Sequence, residues 1–452
     1  MNAFGKLLRG NGIFARAARG SMWSTGGFIS SQIIRLASNL VLTRLLFPEA
    51  FGLMTLVSVI TIGVMMLSDV GIGLSISQSK RGDDPKFLDT AWTIQVIRGG
   101  FLAVILAAVA QPAAHLYQEP LLAAFLPVSA VGLFISGFNP MRIETASRHM
   151  LLGRLTVVDL LTQAVSTLAT IGLAWITQSV WALIWGTLLG VVLRLALAHL
   201  MLPGTRSRFF WDPAAARELI HFGKWIFAST AFGFMLAQGD RVILGTYISL
   251  ELLGIYNVAQ FLATAPILLA TNALQKIIIP LYRESMSDSS DDIKRRLTML
   301  RRFFTGGALI LETFVALIAV KLVGIMYDDR YTAAGSIAVL LALAQMPLIV
   351  GMTYDRAALA AGNSRSFFYS LAFRTILQVG CIVAGAQLGG LFGALTGQLL
   401  AGIIGHTSLI WLARESNVWD PWHDLGYGLL AVFLGGIILW VNWTSVITLI
   451  AR

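Results

Sequence analysis

The feature of this sequence that most constrains its fold is a succession of long apolar runs, each about as long as a bilayer is thick. A membrane-spanning helix needs about 20 predominantly apolar residues, and such stretches occupy most of the 452 residues. The predicted spans cover residues 22–46, 50–78, 87–113, 121–141, 154–176, 179–202, 219–247, 252–282, 303–326, 334–361, 367–388, 390–413 and 425–449. Charged residues make up only 12% of the chain, against about 25% in a soluble domain. We therefore expect an all-α polytopic membrane protein.

A polar interval at residues 203–218 divides twelve of these spans into two groups of six. A weak internal repeat supports the division, because Glu49-Ala-Phe-Gly-Leu-Met54 and Glu251-Leu-Leu-Gly-Ile-Tyr256 occupy equivalent turns in the two halves. Two six-helix lobes around a central cavity, here with one or two extra C-terminal membrane segments, are a common transporter plan. The predicted segments are a basic amphipathic N-terminal stretch (1–20), an N-terminal lobe (21–202), a cytoplasmic inter-lobe loop (203–218), a C-terminal lobe (219–413) and an additional C-terminal membrane segment (424–450).

Basic residues alternate between the connections of the spans, and the only exception is Arg330, which stands beside Asp328 and Asp329. Basic connections face the cytoplasm in membrane proteins, so the N-terminus is predicted to be cytoplasmic. The net charge of +10 then reflects topology and contact with anionic membrane lipids, and no nucleic-acid partner is expected. The basic connections are the N-terminal tail, 79–87, 138–154, 203–218 and 283–302.

Several polar residues fall inside the predicted spans, where a charge costs about 2.5–3.5 kcal/mol and should face a cavity or a partner. In the first span Gln32, Arg35 and Asn39 share one helical face. Arg binds phosphate through two hydrogen bonds, and amides hydrogen-bond to sugar hydroxyls. These polar residues within the spans therefore indicate a hydrated, basic cavity for an anionic, sugar-bearing headgroup. The predicted substrate-binding residues are Arg35, Arg44, Arg98, Lys276, Gln32, Asn39, Gln260 and Gln275.

Other charged residues in or beside the spans have alternative explanations. Arg44 lies near the outer end of the first span and could extend to the interface instead of binding substrate. Asp69 could pair with an arginine or carry a coupling proton. For two adjacent pairs near span ends a structural ion pair is the preferred interpretation. These pairs are Asp240 with Arg241 and Asp355 with Arg356.

The sequence shows no catalytic or metal-binding pattern. Cys381 is the single cysteine, and the six histidines lack metal-ligand spacing. The acidic cluster of Asp288, Asp291 and Asp292 lies in a serine-rich loop beside basic residues, which is typical of a solvated loop. We expect no catalytic residue, no metal site and no cofactor.

Three turn sequences resemble those of the polysaccharide transporter family, the Wzx-type oligosaccharide flippases of the multidrug/oligosaccharidyl-lipid/polysaccharide exporter superfamily. They are Arg44-Leu-Leu-Phe-Pro-Glu-Ala-Phe-Gly52, Ser68-Asp-Val-Gly-Ile-Gly-Leu-Ser75 and Gly254-Ile-Tyr256, and the resemblance extends over about residues 20–413. The resemblance implies a bacterial inner-membrane protein that moves a polyprenyl-diphosphate-linked oligosaccharide from the cytoplasmic to the periplasmic leaflet by alternating access. It also implies cavity arginines in the first helix, matching Arg44 and, less closely, Arg35. A polysaccharide polymerase and the export machinery are the implied protein partners. A thirteenth span departs from the twelve or fourteen that are usual in the family.

Two other functions remain open at this point. A cation-coupled drug or metabolite antiporter of the same superfamily would share the fold but should present acidic cavity residues. A membrane-integral polysaccharide polymerase or ligase should show a sizeable outer loop with catalytic groups, and every predicted outer connection is short. The mid-span charges are mostly basic, which favours the flippase and predicts a transporter and not an enzyme.

Overall fold

The computed structural model of the chain describes residues 13–66, 71–287, 290–361 and 363–450. These ranges are helical and contain no β-strand. The helices are α1 (Ile13–Leu45), α2 (Pro48–Met66), α3 (Ile72–Gln78), α4 (Pro85–Leu116), α5 (Leu121–Gly137), α6 (Arg142–Arg148), α7 (Leu152–Thr177), α8 (Trp181–Met201), α9 (Pro213–Tyr247), α10 (Leu250–Ser287), α11 (Asp291–Met326), α12 (Ala333–Gly351), α13 (Ala357–Ala360), α14 (Ser364–Glu415) and α15 (Pro421–Ile450). The predicted amphipathic stretch at 1–20 is described only from Ile13, where α1 begins.

Long apolar helices make up most of the described chain. Nine of the described helices are long and apolar enough to cross a membrane, and α5 with α6 forms a tenth, bent candidate. Helices α1 and α9 have 33 and 35 residues, so they are also long enough to cross, but they are more polar. The multi-pass membrane character predicted from the sequence is confirmed.

Helix α14 is two membrane helices joined by a sharp bend. Its 52 residues depart from helical geometry at Gly389 and Gly390, where Gly390 has a φ of 55°. A positive φ of this kind is available to glycine without steric cost. The bend falls at the boundary predicted between the spans at 367–388 and 390–413, so both predicted spans are present.

Some predicted spans run too far at their C-terminal ends. The span predicted at 121–141 ends at Gly137, and the chain turns by 60° before α6. Pro140 explains this break, because proline disfavours helical geometry in the residue before it. The span predicted at 50–78 is interrupted at Gly71, whose φ of 61° precedes α3, and the span predicted at 334–361 is interrupted after Gly351, before the short helix α13. Apolar residues on both sides of each break made each segment resemble one run, so the apolar pattern alone did not locate the breaks.

The chain divides into two compact units. Unit 1 consists of residues 1–47 and 57–231, and unit 2 of residues 48–56 and 232–452. The six-plus-six partition around the 203–218 interval stays a prediction.

The two copies of the predicted repeat pack against each other within unit 2. A Cβ atom added at Gly52 would lie 2.0 Å from the carbonyl oxygen of Leu250, and one added at Gly254 would lie 1.9 Å from the carbonyl oxygen of Pro48. Only glycine allows two helices to approach so closely at these points. The glycine shared by the two repeat copies is therefore a packing requirement where the first turns of α2 and α10 meet.

Arginines in the basic connections of unit 1 bind backbone carbonyl groups. Nη1 of Arg148 donates to the carbonyl oxygens of Ile76, Ser77 and Ser79 at 2.6–3.1 Å. The guanidinium of Arg142 likewise donates to the carbonyl oxygens of His199, Leu202 and Thr205 at 2.9–3.3 Å. These two side chains join α6 to the ends of α3 and α8. Besides any effect on topology, the basic connections have a structural role that the charge pattern did not reveal.

The segment before α9 is attached to the first turns of α4. The backbone N–H groups of Arg208, Phe210 and Asp212 donate to the side chains of Asp89, Thr93 and Thr90. The guanidinium of Arg81 donates to Asp212 at 2.9 Å and keeps the pKa of that carboxyl below its ordinary value. Residues 208–212 therefore form an anchored strap along α4.

Candidate functional site

Unit 2 contains a cavity of about 310 Å³ among its membrane helices. Helices α9, α10, α12 and α14 all contribute to its wall, together with the turn that follows α12. The polar side chains that line it are Asp240, Gln260, Thr264, Thr271, Gln345, Asp355, Arg356, Arg374, Gln378, Gln398 and His406. A polar side chain within the membrane costs free energy unless it pairs with a partner, lines a pathway or binds a ligand. This cavity is therefore the candidate functional site of unit 2.

Gln260 connects the first predicted charge pair. Its amide nitrogen donates to Oδ2 of Asp240 at 2.7 Å, and its amide oxygen accepts from Nε of Arg241 at 2.6 Å. The hydroxyl of Tyr256 donates to the same oxygen of Asp240 at 2.5 Å. The other oxygen, Oδ1 of Asp240, is buried and has no partner among the described residues. Asp240 and Arg241 are therefore linked through the glutamine amide, which leaves one carboxylate oxygen available.

The second predicted pair is arranged differently. Asp355 accepts a hydrogen bond at 2.6 Å from Arg374 of α14, whose side chain is 10% exposed. Arg356, the neighbour of Asp355 in sequence, also lines the cavity. Its guanidinium has neither a hydrogen-bonding nor an ionic partner among the described residues. Arg356 is therefore the guanidinium of this cavity that remains available to a ligand.

Two glutamines of the cavity wall are also available. The side chains of Gln345 on α12 and Gln398 on α14 line the cavity and make no hydrogen bond to the part of the chain that the structure describes. Each amide offers two donors and one acceptor oxygen. The site thus combines available amides with one available guanidinium and an unpaired carboxylate oxygen. That combination suits a ligand with many hydroxyl groups.

A cluster of two histidines and an aspartate joins α15 to the cavity wall. Asp424 lies 3.1 Å from Nδ1 of His423 and 3.6 Å from Nε2 of His406, and it accepts a hydrogen bond from the hydroxyl of Tyr354 at 2.8 Å. His423 is buried, and its Nε2 lies 3.1 Å from the hydroxyl of Thr305. The sequence showed only that these histidines lack metal-ligand spacing, whereas the structure places them in a buried network.

The polar residues predicted in the first span belong to α1, where Gln32, Arg35 and Asn39 share one face. Arg35 and Arg44 are exposed, and Gln32 and Asn39 are half-buried. The side-chain oxygens of Gln32 and Asn39 have no hydrogen-bond partner among the described residues. A neighbouring residue, Ser31, donates to Gln163 of α7 at 2.7 Å, and the amide of Gln163 returns a hydrogen bond to its carbonyl oxygen. The predicted face thus contains two buried oxygens that are unpaired among the described residues, while the adjacent Ser31 holds α1 to α7.

Arg98 lines a second cavity, of about 370 Å³, in unit 1. Its Nη2 donates to the carbonyl oxygen of Met65 at 2.7 Å. Gln95, one turn earlier, donates to the carbonyl oxygens of Gly137 and Asn139. Gln95 thus holds the end of α5, and Arg98 approaches the end of α2.

Three predicted residues lie, entirely or by their side chains, outside the described residues. Asp69 lies outside the described residues, and so do the side chains of Gln275 and Lys276, whose backbone belongs to α10. Their assignment to substrate binding or coupling stays a prediction. Of the other predicted residues, Gln260, Asp240, Asp355 and Arg356 lie together in the unit 2 cavity.

The sequence interpretation missed several cavity residues. Arg374 is a charge inside the apolar run predicted at 367–388, and the cost of a mid-span charge was a signal that could have identified it. Gln345, Gln378 and Gln398 carry a weaker signal of the same kind. His406 was overlooked because its spacing matches no metal motif, and its contact with Asp424 depends on how two separate helices pack.

Comparison with known proteins establishes the family. A family model described as "Polysaccharide biosynthesis protein" matches residues 41–336, which is more than half of the chain. The chain belongs to the polysaccharide biosynthesis protein family. The lipopolysaccharide biosynthesis protein WzxC of Escherichia coli (strain K12) is 21% identical over 393 residues, covering 85% of this chain and 78% of WzxC. The resemblance to Wzx-type proteins indicated by the turn sequences is confirmed.

Solved structures show the same fold at low sequence identity. The lipid II flippase MurJ in an inward closed conformation has a TM-score of 0.63 at 13% identity, covering 94% of this chain and 99% of that chain. An inward-facing multidrug resistance MATE family transporter of the MOP superfamily has a TM-score of 0.62 at 15% identity, covering 86% and 94%. The present chain thus has the all-α, two-lobed transporter fold expected from its sequence. The expected central cavity stays a prediction.

Proposed function

We propose that this protein is a flippase that moves a polyprenyl-diphosphate-linked oligosaccharide from the cytoplasmic to the periplasmic leaflet by alternating access, for surface polysaccharide export. The observation that carries the proposal is the cavity of unit 2, which holds available amides and one available guanidinium among membrane helices. Its volume of about 310 Å³ lies at the lower end of the range for small-ligand pockets, about 300–1,000 Å³. A cavity of this size suits one sugar residue of a longer glycan.

The proposed division of labour follows the chemistry of each side chain. The predicted basic residues Arg35, Arg44, Arg98 and Lys276 are the proposed diphosphate-binding groups, since guanidinium and ammonium groups are the natural partners of phosphate oxygens. Amide groups bind sugar hydroxyls, as donors and acceptors at once. These amides belong to Gln32, Asn39, Gln260, Gln275, Gln345 and Gln398.

The proposed setting is the bacterial inner membrane with a cytoplasmic N-terminus, because the basic connections then face the cytoplasm. A polymerase and the export machinery are the proposed protein partners, since they would consume the translocated repeat unit. Family membership and the relationship to WzxC support this assignment.

A cation-coupled antiporter of the same superfamily is the second candidate, favoured by one observation. Oδ1 of Asp240 is buried without a partner among the described residues and could accept a cation. Two features weigh against it: the likeness to the MATE transporter supports the fold alone, and Arg356 and Arg374 balance the two carboxylates of the cavity.

A reconstituted assay tests the flippase directly. Purified protein in proteoliposomes is given a fluorescent polyprenyl-diphosphate oligosaccharide, and a membrane-impermeant quencher reports how much label has changed leaflet. Wild-type protein should accelerate this exchange over protein-free vesicles, and a fluorescent cationic drug should not be transported. Transport of the cation with no exchange of the lipid-linked sugar would instead establish the antiporter.

The double variant Gln345→Ala/Gln398→Ala tests the cavity. Each lost hydrogen bond costs about 0.5–1.5 kcal/mol, so removing both amides should weaken binding by about 5- to 150-fold. Gln387→Ala is the matched control, because this exposed glutamine of α14 lies outside the cavity and bonds to Tyr247. Equal exchange rates for the double variant and the control would show that the cavity does not hold the glycan.

A further inference from the structure

Glu312 is a fully buried acidic residue within a predicted membrane span. It lies in α11, inside the stretch predicted to cross the membrane at 303–326, and its side chain is 0% exposed. Neither carboxyl oxygen has a hydrogen-bond partner among the described residues. The protein itself covers this side chain, so neither lipid headgroups nor bulk water reach it. None of the roles proposed above uses this residue.

No cation of the same helix can neutralise Glu312. Arg302 lies ten residues earlier, about 15 Å along the helix axis at 1.5 Å per residue, and is exposed. Arg301 lies eleven residues earlier, about 16 Å along the axis, and its guanidinium is engaged, since it donates to the hydroxyl of Tyr282 at 3.1 Å and lies over the ring of Tyr354 at 4.9 Å. Lys321 lies nine residues later, about 13 Å along the axis, and is exposed. These charges are too distant for a direct ion pair.

The helices that pack against α11 are α10, α12 and α15. Helix α12 contains no titratable residue. The titratable residues of α15 are His423, Asp424 and Tyr427, all within its first two turns. His423 contacts Thr305, and Tyr427 donates to the carbonyl oxygen of Arg302. These contacts place the titratable side chains of α15 about two helical turns N-terminal to Glu312 along α11.

The described side chains of helix α10 bring no counter-charge either. Its described titratable side chains are Glu251, Tyr256, Tyr282 and Glu284, and none of them is cationic. Tyr256 donates to Asp240, and Tyr282 to the carbonyl oxygen of Thr353. The side chains of Lys276 and Arg283 lie outside the described residues.

An ionised carboxylate in this environment would be strongly disfavoured. Moving a lone carboxylate from water into a medium of low dielectric constant costs far more free energy than protonating it. Such a group therefore takes up a proton and becomes neutral. The described structure therefore requires the acid form of Glu312. A conformation that lets water or a cation reach α11 would favour the carboxylate and release the proton.

We propose that Glu312 is a proton-binding site of the transport cycle, protonated in the conformation described here and deprotonated in another. The role in a transport cycle rests on the proposed function, whereas the protonation of Glu312 does not depend on it. The ligand is the proton, and the step is the reversible transfer of one proton between a Glu312 oxygen and water. Proton binding would then favour the conformation in which the residue is covered.

Infrared spectroscopy of the purified protein tests the protonation without any substrate. A protonated carboxyl gives a C=O stretching band apart from the amide and carboxylate bands, and wild-type protein should show one at neutral pH. The band should vanish in Glu312→Gln, which has nearly the same shape and cannot titrate, and should persist in the control Glu251→Gln, an exposed residue of α10. If Glu312→Gln fails to fold, Glu312→Asp should retain the band at a shifted frequency. A band unchanged in these variants would overturn the proposal.

Exchange of the labelled lipid-linked sugar under an imposed pH gradient tests the coupling. Wild-type protein and Glu251→Gln should respond to the gradient, whereas Glu312→Gln should exchange label at a rate that the gradient does not change. A Glu312→Gln variant that still responds to the gradient would overturn the coupling. If no variant moves the sugar, including wild type, the flippase proposal fails and the infrared result still decides whether Glu312 holds a proton.

Discussion

Replacing Gly254 with alanine should destabilise the protein by forcing apart the two repeat turns. The new Cβ atom would lie 1.9 Å from the carbonyl oxygen of Pro48 and 3.0 Å from the nitrogen of Gly52, whereas ordinary contact begins at 3.4 Å. The two helix starts must therefore separate by about 1.5 Å, and overpacking of this kind costs about 1–3 kcal/mol. Alanine offsets about 1 kcal/mol of this cost through its higher helix propensity. A net loss of up to about 2 kcal/mol is expected.

Gly307→Ala is the matched control, because Gly307 lies in α11 and a Cβ atom there has nothing within 4 Å. It should stabilise the protein by up to about 1 kcal/mol, so the two substitutions should change stability in opposite directions. Thermal unfolding of the detergent-solubilised protein, followed by tryptophan fluorescence, measures both. Gly52→Ala should act like Gly254→Ala, and the double variant should lose less than the sum because both open one contact. Equal stability of Gly254→Ala and Gly307→Ala would refute the close approach.

Two further predictions concern charged groups. Asp355→Asn should destabilise unit 2 by up to about 3 kcal/mol because it leaves the buried Arg374 without its carboxylate. Adding Arg374→Gln should recover part of this loss in thermal unfolding. A double variant that is no more stable than the single variant would contradict this prediction. The hydrogen bond with His149 lowers the pKa of Asp83 below its ordinary 3.8, so its contribution to stability is present above that pH and is lost as the pH falls through the lowered pKa. The stability difference between wild type and Asp83→Asn should therefore disappear in acid, and a difference that grows on acidification would contradict the sign.

The membrane helices could be predicted from the sequence because length and apolarity are local properties. The boundary between the spans at 367–388 and 390–413 was predicted for the same reason, and the structure bends there, at Gly389 and Gly390. The short helices α3 and α6 were not predicted, since the few polar residues before them lie between apolar residues and were included in the predicted spans. A break of this kind depends on backbone geometry near single residues such as Pro140.

The candidate site was only partly predictable. Asp240, Gln260, Asp355 and Arg356 were selected because polar groups in spans are costly, and the unit 2 cavity contains all four. Their actual partners could not be foreseen, since Arg374 reaches Asp355 from a different helix and the Gln260 amide stands between Asp240 and Arg241. Such pairings depend on the rotation of packed helices, which a single sequence does not specify.

The arginine-bound strap of unit 1 has a consequence for building chimeras between family members. The interval at 203–218 looks like a natural junction, because it is polar and lies between groups of spans. Yet Arg142 binds the carbonyl oxygen of Thr205, and Asp89, Thr90 and Thr93 hold the strap from α4. A chimera joined within 205–212 would pair a strap from one parent with an α4 from the other. A junction that keeps α3, α4, α6 and the strap from the same parent preserves the full set of contacts.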